Sequence, residues 1–398
     1  MPNKKHILLG ISGGISAYKM PDLAHALVKC GHEVKVILTR AAESFVSPLV
    51  LATLTKNKVW QEEDFFAPNT GYLIPHISLV EWADLFVLCP ATASTLHRIA
   101  TGDASTLLGA TFVANTKPVL VFPAMNCNMF AKETVKADIA VLRQRGATVI
   151  DPDDGLLACG YEGKGRLPAQ NVLLDFIDYA LTEQDLRGKK IVVTAGPTHE
   201  YIDPVRFLSN PSSGKMGYAL ARAGRARGAE VTLISGATCL TPPAGVKFIP
   251  VTSANEMLEA CTEQSDDYDI MIKAAAVGDY SPVQFAERKI KREGRDTLTL
   301  ELKQNPDIAK ELGKIKKQNQ ILVGFAAETN DVTANAQAKL TSKNLDMIVA
   351  NDVTAPTCGF GTDTNSVKII SKATPTCEAT GTKFEVANII LDKVKELL

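Results

Sequence analysis

The chain has 398 residues, of which 45% are hydrophobic and 22% are charged. This is the composition of an ordinary globular protein, and the length exceeds what one hydrophobic core usually serves, so we expect two domains. Basic and acidic residues nearly cancel, at 43 against 44, which argues against a general nucleic-acid-binding surface.

The cysteines and the N-terminal sequence argue against several further classes of protein. The eight cysteines are scattered, with no close pair at metal-ligand spacing, which argues against disulfides and against a structural zinc site. The apolar run after Lys5 is too short for a secretory segment, and no stretch approaches the length of a membrane span. We therefore expect a cytoplasmic protein.

The first predicted strand, His6 to Ile11, runs through a glycine turn into a helix that ends at Gly31. The turn misses the dinucleotide-binding fingerprint because Ser12 occupies its second glycine position. The next predicted strand, Glu33 to Leu38, ends in Thr39 and lacks the acid that would hold an adenosine ribose. The turn therefore favours a mononucleotide phosphate over a nicotinamide dinucleotide, with the hydroxyls of Ser12 and Thr39 as ligands.

Polar residues also follow the predicted strand Asp84 to Cys89. Thr92, Ser94 and Thr95 stand where the next helix begins, and this helix stops at Gly102. Their hydroxyls could equally cap the helix. Because the carboxyl ends of parallel strands meet at one edge of a sheet, two polar strand ends favour a ligand crevice.

Three further residues are candidates for chemistry. His76 lies just before a predicted capping box, Ser78 to Glu81, although a lone histidine is more often structural. Asn126 follows the predicted strand Val119 to Phe122 and is suited to orienting a carboxylate, with an ordinary turn asparagine as the alternative. Cys159 lies in a glycine-rich segment, which is typical of a mobile lid and equally of an ordinary loop.

The motifs around these three residues, HISL, PAMNCNM and ACGYEGKGR, resemble the flavin-dependent cysteine decarboxylase family. One departure is Phe130, because the family often has tryptophan there. The resemblance implies a flavodoxin-like flavoprotein domain that binds FMN and decarboxylates an N-acylated cysteine after the thiol is oxidised to a thioaldehyde. It implies that Asn126 holds the carboxylate, that His76 assists proton movement and that Cys159 donates a proton. The residues assigned to FMN are Ser12, Gly13, Thr39, Thr92, Ser94 and Met125.

A short charged connection after the predicted helix 172–182 places the domain boundary near Leu186. The predicted domains are residues 1–186 and residues 187–398, and each begins with a strand, a glycine turn and a helix. We therefore expect two Rossmann-like, three-layer α/β domains, the second with a mostly parallel sheet.

The stretch from Thr194 to Gly217 has the layout of an anion site. A small-residue loop ending in Gly214 opens a predicted helix, whose unpaired N–H groups and dipole favour an anion. It is not a Walker loop, because Ser209 replaces the earlier glycine and Met216 replaces the metal-binding hydroxyl residue after Lys215. An ordinary strand-loop-helix turn is the alternative. The residues assigned to an anionic substrate are Arg206, Asn210, Ser212, Gly214, Lys215, Ala275 and Ala276.

The rest of the second half offers weaker signals. Asp279 is a possible magnesium ligand or an exposed turn aspartate. Leucines 298, 300 and 302 alternate as in a half-buried strand, and Asn305 is predicted to cap a helix begun by Pro306. Lys339 and Lys343 share a helix face, which suits a polyphosphate or an ordinary solvated surface.

The strings VRFLSNPSSGKMG, AAAVGDY, KIKR, NPDI, GFAAE and NLDMIVAND resemble, in this order, the phosphopantothenoylcysteine synthetase family. The resemblance implies that the carboxylate of 4′-phosphopantothenate attacks the α-phosphorus of CTP, giving an acyl-cytidylate and pyrophosphate, and that the amine of cysteine then displaces CMP. Asn210 would hold the acyl-cytidylate, Lys289 would offset charge on the phosphate and Asp279 would lie near the metal. The implied nucleotide-binding residues are Asp279, Lys289, Asn305, Pro306, Asp307, Ile308, Ala309, Phe325, Lys339 and Lys343.

Together the two resemblances imply a bifunctional enzyme of coenzyme A biosynthesis. They also imply that the first domains form trimers and the second domains form dimers, which a dodecamer satisfies. Two alternatives stay open. An NADP-dependent reductase would use the glycine turns and Arg40, but it leaves Asn126 and Cys159 unexplained. A flavin-binding or regulatory subunit without catalysis conflicts with the presence of the residues His76, Asn126, Cys159, Asn210 and Lys289.

Overall fold

The computed structural model of the protein describes residues 4–67, 73–291, 297–328, 332–352 and 361–398. The chain divides into two compact units, Met1–Thr182 and Glu183–Leu398. Each unit is an α/β structure built on its own sheet, as the sequence predicts. Among the residues described, no helix has the length and apolar character needed to cross a membrane.

The first unit is built on a six-stranded sheet in which every strand pair is parallel. Its spatial order is β3-β2-β1-β4-β5-β6. Without the two-residue edge strand β3, the order is the flavodoxin-like one, with a switch point between β1 and β4. The strands are β1 (His6–Ile11), β2 (Glu33–Leu38), β3 (Val59–Trp60), β4 (Leu85–Ala91), β5 (Val119–Pro123) and β6 (Thr148–Val149).

Helices cover both faces of this sheet, because successive strand residues point to opposite faces and both faces are apolar. In β1, Ile7 and Leu9 pack in one core with α1 and α8, whereas Leu8 packs in the other with α4, α5 and α7. The helices are α1 (Met20–Lys29), α2 (Pro48–Thr55), α3 (Pro75–Trp82), α4 (Ala93–Thr101), α5 (Leu107–Ala114), α6 (Cys127–Phe130), α7 (Glu133–Gln144) and α8 (Gln170–Leu181), with 3-10 turns at Ile15–Lys19, Ala42–Ser44 and Glu62–Asp64.

The second unit is built on an eight-stranded, mostly parallel sheet of order β11-β10-β7-β12-β15-β16-β17-β18. Only the pairs β16–β17 and β17–β18 are antiparallel in this sheet, over the described residues. Two small antiparallel pairs, β8–β9 and β13–β14, stand apart from it. The strands are β7 (Lys190–Ala195), β8 (Glu200–Tyr201), β9 (Phe207–Leu208), β10 (Glu230–Ser235), β11 (Lys247–Pro250), β12 (Ile270–Lys273), β13 (Tyr280–Pro282), β14 (Leu302–Gln304), β15 (Ile321–Glu328), β16 (Met347–Asp352), β17 (Thr364–Ser371) and β18 (Cys377–Thr382).

Two helical layers flank the second sheet as well. Ile191 and Val193 of β7 face a core shared with α9 and α13, and Val192 faces the core of α10, α11 and α12. The helices are α9 (Lys215–Ala226), α10 (Ala254–Glu263), α11 (Ile308–Ile315), α12 (Val332–Ser342) and α13 (Lys383–Lys395). The three-layer α/β expectation is therefore confirmed for both units.

Three local predictions were wrong. Helix α3 begins at Pro75 with Ile74 as its N-cap, so His76 lies in its first turn and Ser78 is no cap. The reason is that a proline suits the first helical position, where its missing N–H costs nothing. Helix α11 begins at Ile308 and is capped by the Asp307 side chain, which accepts the N–H of Lys310, rather than by Asn305.

The third error concerns leucines 298, 300 and 302. Only Leu302 lies in a strand, the three-residue β14, and the side chains of Leu298 and Leu302 are 50% and 42% exposed. Strand β14 pairs with a β13 that is equally short, in a ribbon outside the main sheet. Alternation marks a strand face, but burial needs a second layer on that face, which the sequence pattern does not show.

Candidate active sites

A cavity of about 930 Å³ lies in the first unit, at the carboxyl ends of β1, β4 and β5. It is at the switch point of the sheet, which is where open α/β sheets bind ligands. Its lining residues are Gly13, Gly14, Ile15, Ser16, Tyr18, Lys19, Thr92, Ala93, Ser94, Ala124, Met125, Asn126, Met129, Leu156, Leu157, Ala158, Cys159, Gly165 and Arg166.

The glycine turn after β1 brings bare backbone to this cavity. A Cβ added to Gly13 would lie 2.4 Å from the Cβ of Ala41, so only glycine fits. Ser12 is 1% exposed, donates from Oγ to the carbonyl of Pro90 at 2.6 Å and accepts the N–H of Thr92 at 3.0 Å. Ser12 therefore ties the β1 turn to the β4 turn and does not line the cavity.

The other hydroxyls assigned to FMN differ in their surroundings. Thr92 caps α4 by accepting the N–H of Thr95 at 3.4 Å and also lines the cavity, so its capping role does not remove it from the cavity. Ser94 and Met125 line the cavity too. Thr39 lies at the end of β2, and its buried hydroxyl has no hydrogen-bond partner among the residues described.

The structure brings Asn126 and Cys159 together. Asn126 is the N-cap of α6, where its Oδ1 accepts the N–H of Asn128 at 2.8 Å. Its Nδ2 donates to Sγ of Cys159 at 3.1 Å. The amide is therefore oriented by its own helix, with the donor end turned to the thiol.

Cys159 is carried by a hairpin that folds over the end of β5. The hairpin is closed by bridges between Asp153 and Arg166 and between Leu156 and Glu162. Hydrogen bonds from the backbone N–H of Tyr161 and then from Asn126 lower the pKa of the Cys159 thiol. The thiol is thus made a better proton donor and a more available thiolate than an ordinary cysteine.

His76 lies apart from this pair within its own chain. Its ring meets Phe65 edge-on at 5.5 Å, and its Nδ1 is buried with no partner among the described residues. It is not one of the cavity's lining residues. Tyr18, Lys19 and Arg166 do line the cavity but were not singled out from the sequence. Arg166 ends the ACGYEGKGR motif, which was the available signal.

A second, smaller cavity of about 120 Å³ lies in the other unit, at the carboxyl ends of β12, β15 and β16 and beside the start of α9. Its lining includes the assigned residues Ser212, Gly214, Lys215, Ala275, Ala276 and Phe325, together with Ser213, Met216, Gly217, Ala274, Ala326, Asn351, Asn365 and Lys383. The predicted anion turn and the predicted small-residue strand end therefore share one cavity.

The start of α9 is packed closely on the sheet. Gly214 is its N-cap with φ of 77°, a left-handed conformation that favours glycine. A Cβ on Gly217 would lie 2.5 Å from the Cβ of Ala195. The Nζ of Lys215 bonds to Asp363 at 2.6 Å and to the carbonyl of Gly361 at 2.8 Å. The helix terminus thus presents N–H groups and a cation at the cavity.

Asn210 and Arg206 stand outside the cavity lining. The Nδ2 of Asn210 donates to the carbonyls of Ala276 and Val277 at 3.2 and 3.1 Å, which ties its loop to the end of β12. The guanidinium of Arg206 binds Asp203 and the carbonyl of Ile290.

Most residues assigned to the nucleotide lie at the β13–β14 ribbon, at the start of α11 or at the end of α12. The Nδ2 of Asn305 donates to the carbonyl of Gly278 at 2.8 Å, and Lys343 pairs with Asp307 at 2.8 Å. Pro306 precedes α11, Ile308 and Ala309 are its first residues, Lys339 lies on α12, and Asp279 and Lys289 are exposed. Apart from Phe325, none of the assigned nucleotide residues lines the 120 Å³ cavity.

The described residues contain no group of three or more His, Cys, Asp or Glu placed to hold a metal ion.

Asn351, Asn365 and Lys383 were missed in the sequence. Asn351 is the last residue but one of β16, and its buried Oδ1 has no partner among the described residues. Its place at a strand's carboxyl end was the signal that could have found it. Lys383 is 8% exposed and donates to the carbonyls of Thr362 and Thr364. It gives no such signal, because only the tertiary structure brings the start of α13 to this cavity.

Comparisons with known proteins also divide the chain into two parts. A family model described as "Flavoprotein" matches residues 1–182, and one described as "DNA/pantothenate metabolism flavoprotein C-terminal domain" matches residues 186–398. The coenzyme A biosynthesis bifunctional protein CoaBC of Bacillus subtilis (strain 168) is 48% identical over 376 residues, covering 94% of this chain and 92% of the relative.

Two other relatives extend the comparison. The protein of the same name from Escherichia coli (strain K12) is 41% identical over 368 residues, covering 92% of this chain and 90% of the relative. A cysteine/cysteine sulfinic acid decarboxylase from an unknown prokaryotic organism is 43% identical over 360 residues, covering 89% of this chain and 99% of the relative. The chain belongs to the family of coenzyme A biosynthesis bifunctional proteins.

Proposed function

We propose that this chain is a bifunctional enzyme of coenzyme A biosynthesis. The second unit joins 4′-phosphopantothenate to cysteine at the expense of CTP, and the first unit decarboxylates the product to 4′-phosphopantetheine. The observation that carries the proposal is the 3.1 Å hydrogen bond from Asn126 to the Cys159 thiol at a cavity of about 930 Å³, in a chain of this family.

The residues of the first cavity fit FMN. Its volume lies within the roughly 300–1,000 Å³ usual for small-molecule sites. The bare backbone at Gly13 and Gly14, the start of α4 at Thr92 and Ser94, and the Lys19 side chain supply donors for a phosphate and a polar chain. FMN, when bound, supplies the hydride acceptance and return that decarboxylation through a thioaldehyde needs.

The chain's own groups then have distinct tasks. The Asn126 amide, fixed by its cap on α6, orients the substrate carboxylate without neutralising it, so the carboxylate remains a good leaving group as carbon dioxide. Cys159 gives a proton from Sγ to the carbon that carbon dioxide has left, and its lowered pKa favours this transfer. To the hairpin of residues 153–166, which carries Cys159, we assign the task of keeping water from the reacting groups. We assign proton movement to His76 as well, acting at the cavity of a neighbouring subunit, because His76 does not line the cavity of its own chain.

In the second unit, the start of α9 with Lys215 binds the phosphate of 4′-phosphopantothenate, and Ala275 and Ala276 let the substrate lie against backbone. Lys289 offsets the charge that builds on the α-phosphate of CTP while the substrate carboxylate attacks and pyrophosphate leaves. Asn210 holds the acyl-cytidylate while the amine of cysteine displaces CMP. Asp279 would hold Mg²⁺, which when bound would offset the negative charge of the CTP phosphates, and we assign the other nucleotide residues to contacts with CTP.

Mass spectrometry of the products tests the proposal. The pure protein is mixed with 4′-phosphopantothenate, cysteine, CTP and magnesium, and we expect 4′-phosphopantetheine and CMP. A matched reaction contains cysteine alone, since one relative is a cysteine/cysteine sulfinic acid decarboxylase. Cysteamine from cysteine alone, with CTP untouched in the full mixture, would overturn the proposed substrates.

We propose further that the chain forms a homo-oligomer of trimeric first units and dimeric second units, which a dodecamer satisfies. Support comes from large apolar side chains left exposed in each unit, such as Phe66 at 83% and Leu49 at 75% in the first, and Val205 at 56% in the second. Light scattering should give about twelve times the chain mass of 42.8 kDa. A monomeric mass would contradict it.

A further inference from the structure

A charged pair between β8 and β9 lies outside both cavities. Asp203 is fully buried, and Arg206 follows it by three residues. The Oδ1 of Asp203 accepts the backbone N–H groups of Val205 and Arg206, both at 2.9 Å. This oxygen therefore shapes the local turn.

The other oxygen of the same carboxylate reaches a distant segment. The Oδ2 of Asp203 accepts the N–H of Ile290 at 3.1 Å and the Nε–H of Arg206 at 3.0 Å. The Nη2 of Arg206 donates both to this oxygen and, at 2.8 Å, to the carbonyl of Ile290. One ion pair thus holds the N–H and the C=O of a single residue more than eighty positions away.

The pair stays charged at neutral pH. The hydrogen bond from Arg206, and after it the backbone N–H groups, hold the pKa of Asp203 well below its usual value. Hydrogen bonds to a buried carboxylate are strong because the charge assists them.

Ile290 lies between Lys289 and Lys291, whose side chains are exposed. Residues 283–291 form no helix or strand, so long-range bonds must set their path. Two more such bonds run from the N–H of Ala286 to the carbonyl of Ile202 and from the N–H of Val283 to the carbonyl of Glu301, both at 3.0 Å. The Asp203–Arg206 pair is therefore the attachment next to Lys289.

We propose that Asp203 is a positioning residue for Lys289. By clamping the peptide groups of Ile290, the Asp203–Arg206 pair fixes where the Lys289 ammonium stands when the acyl-cytidylate forms. This inference rests on the ligase function proposed above, and it gives Arg206 a second task beside substrate binding. A misplacement of about 1 Å in a catalytic group can cost about 100-fold in rate, so the clamp matters for chemistry as well as for folding.

The test uses the full chain with Asp203→Asn. The amide oxygen can still accept the N–H groups of Val205 and Arg206, so the turn survives, but an NH₂ group replaces the acceptor that faces Arg206 and Ile290. We expect trypsin to cut after Lys289 and Lys291 several-fold faster than in the wild type. We also expect single-turnover pyrophosphate release, measured without cysteine, to slow by about 100-fold, with a smaller change in the KM for 4′-phosphopantothenate.

Asp185→Asn is the matched control. Asp185 bonds Arg227 at 2.8 and 2.6 Å in the same unit, but it touches neither residues 286–291 nor the assigned site residues. This variant should keep wild-type cleavage at Lys289 and wild-type pyrophosphate release. Arg206→Lys, read by proteolysis alone, supplies a second test if Asp203→Asn folds poorly. A lysine cannot hold Asp203 and the Ile290 carbonyl as a guanidinium does, so cleavage should again accelerate.

The outcomes separate cleanly. Faster cleavage together with slower pyrophosphate release supports the proposal. Cleavage like that of Asp185→Asn, or unchanged pyrophosphate release from a loosened segment, overturns it. If the wild type releases no pyrophosphate from CTP, the ligase function itself fails, whereas the proteolysis result still shows whether the clamp exists.

Discussion

At the scale of single residues, the contact between Asn126 and Cys159 makes a prediction about thiol chemistry. Asn126→Asp replaces the donor with a negative charge beside Sγ, so the pKa of Cys159 should rise from its lowered value. Alkylation of Cys159 by iodoacetamide, followed by mass spectrometry across pH, should shift to higher pH. The exposed Cys239 in the same samples is the internal control. An unshifted profile would contradict the role of the Asn126 hydrogen bond.

From the sequence, a residue of the first site can be placed at the end of a strand, but the direction of its side chain cannot be predicted. Thr92, Met125 and Cys159 were assigned to the first site from motifs, and the structure places all three on the cavity. Ser12 was also assigned to this site, yet its hydroxyl donates to the carbonyl of Pro90 and accepts the N–H of Thr92, residues 78 and 80 positions away. Which way a hydroxyl turns depends on such tertiary partners, and no local pattern contains them.

At the scale of elements, the close approach of α9 to β7 predicts that two glycine-to-alanine substitutions in α9 change the free energy of unfolding by different amounts. An added Cβ at Gly217 would lie 2.5 Å from the Cβ of Ala195 and 2.9 Å from the carbonyl oxygen of Thr194. Gly217→Ala should therefore cost about 1–3 kcal/mol in the free energy of unfolding and also weaken ligase activity at the adjoining cavity. Urea denaturation and CTP consumption measure these two effects.

The matched variant is Gly224→Ala in the same helix. Its Cβ would meet only the side-chain ends of Ile191 and Val231, at 3.2 and 3.4 Å, and alanine favours a helix over glycine by about 1 kcal/mol. We expect a change close to zero in stability and none in ligase activity. Equal losses for both variants would show that the helix does not rest on β7 as described.

Asp185, which precedes β7, forms ion pairs with the end of α9 and with α13. These ion pairs predict that the free energy of unfolding depends on pH. Hydrogen bonds from Arg227 and then Lys395 lower the pKa of Asp185 to about 2, from 3.8. A depressed carboxyl pKa stabilises the fold above the unfolded pKa and loses this effect as pH falls towards the folded value. Asp185→Asn should therefore lower the free energy of unfolding by about 2 kcal/mol at pH 7.

Urea denaturation followed by circular dichroism measures this difference. The gap between wild type and Asp185→Asn should narrow below about pH 4. Asp267→Asn is the control, since Asp267 is 76% exposed in its pair with Lys190 and should matter little. A gap that is constant from pH 7 to pH 3.5 would contradict the assignment.

The ends of helices and strands show which structural features a sequence pattern predicts and which it does not. The strands β1 and β2 were predicted to the residue, because apolar runs between turn residues define them. The starts of α3 and α11 were displaced, since a proline and an aspartate each offered a competing first turn. The exposed β14 ribbon shows that an alternating pattern specifies which residues share a face, but cannot show what covers that face.

At the scale of the whole molecule, the two large sheets, each with a cavity at the carboxyl ends of its strands, and the two family matches divide the chain into a decarboxylase unit and a ligase unit. The resemblance to bifunctional coenzyme A biosynthesis proteins, made from short motifs, is confirmed by relatives that cover most of the chain. The arrangement of each cavity came only from the structure, because residues such as Asn351 and Lys383 meet through folding.

Each unit is expected to complete one of two consecutive reactions. The most direct measurement is product mass spectrometry with two single-site variants, each given 4′-phosphopantothenate, cysteine, CTP and magnesium. We expect Cys159→Ser to make CMP but no 4′-phosphopantetheine, so that 4′-phosphopantothenoylcysteine or its decarboxylated ene-thiol accumulates. Lys289→Gln should leave CTP intact, yet still convert supplied 4′-phosphopantothenoylcysteine to 4′-phosphopantetheine. If either substitution abolished both reactions in folded protein, or if Cys159→Ser still made 4′-phosphopantetheine at the wild-type rate, the account would be contradicted.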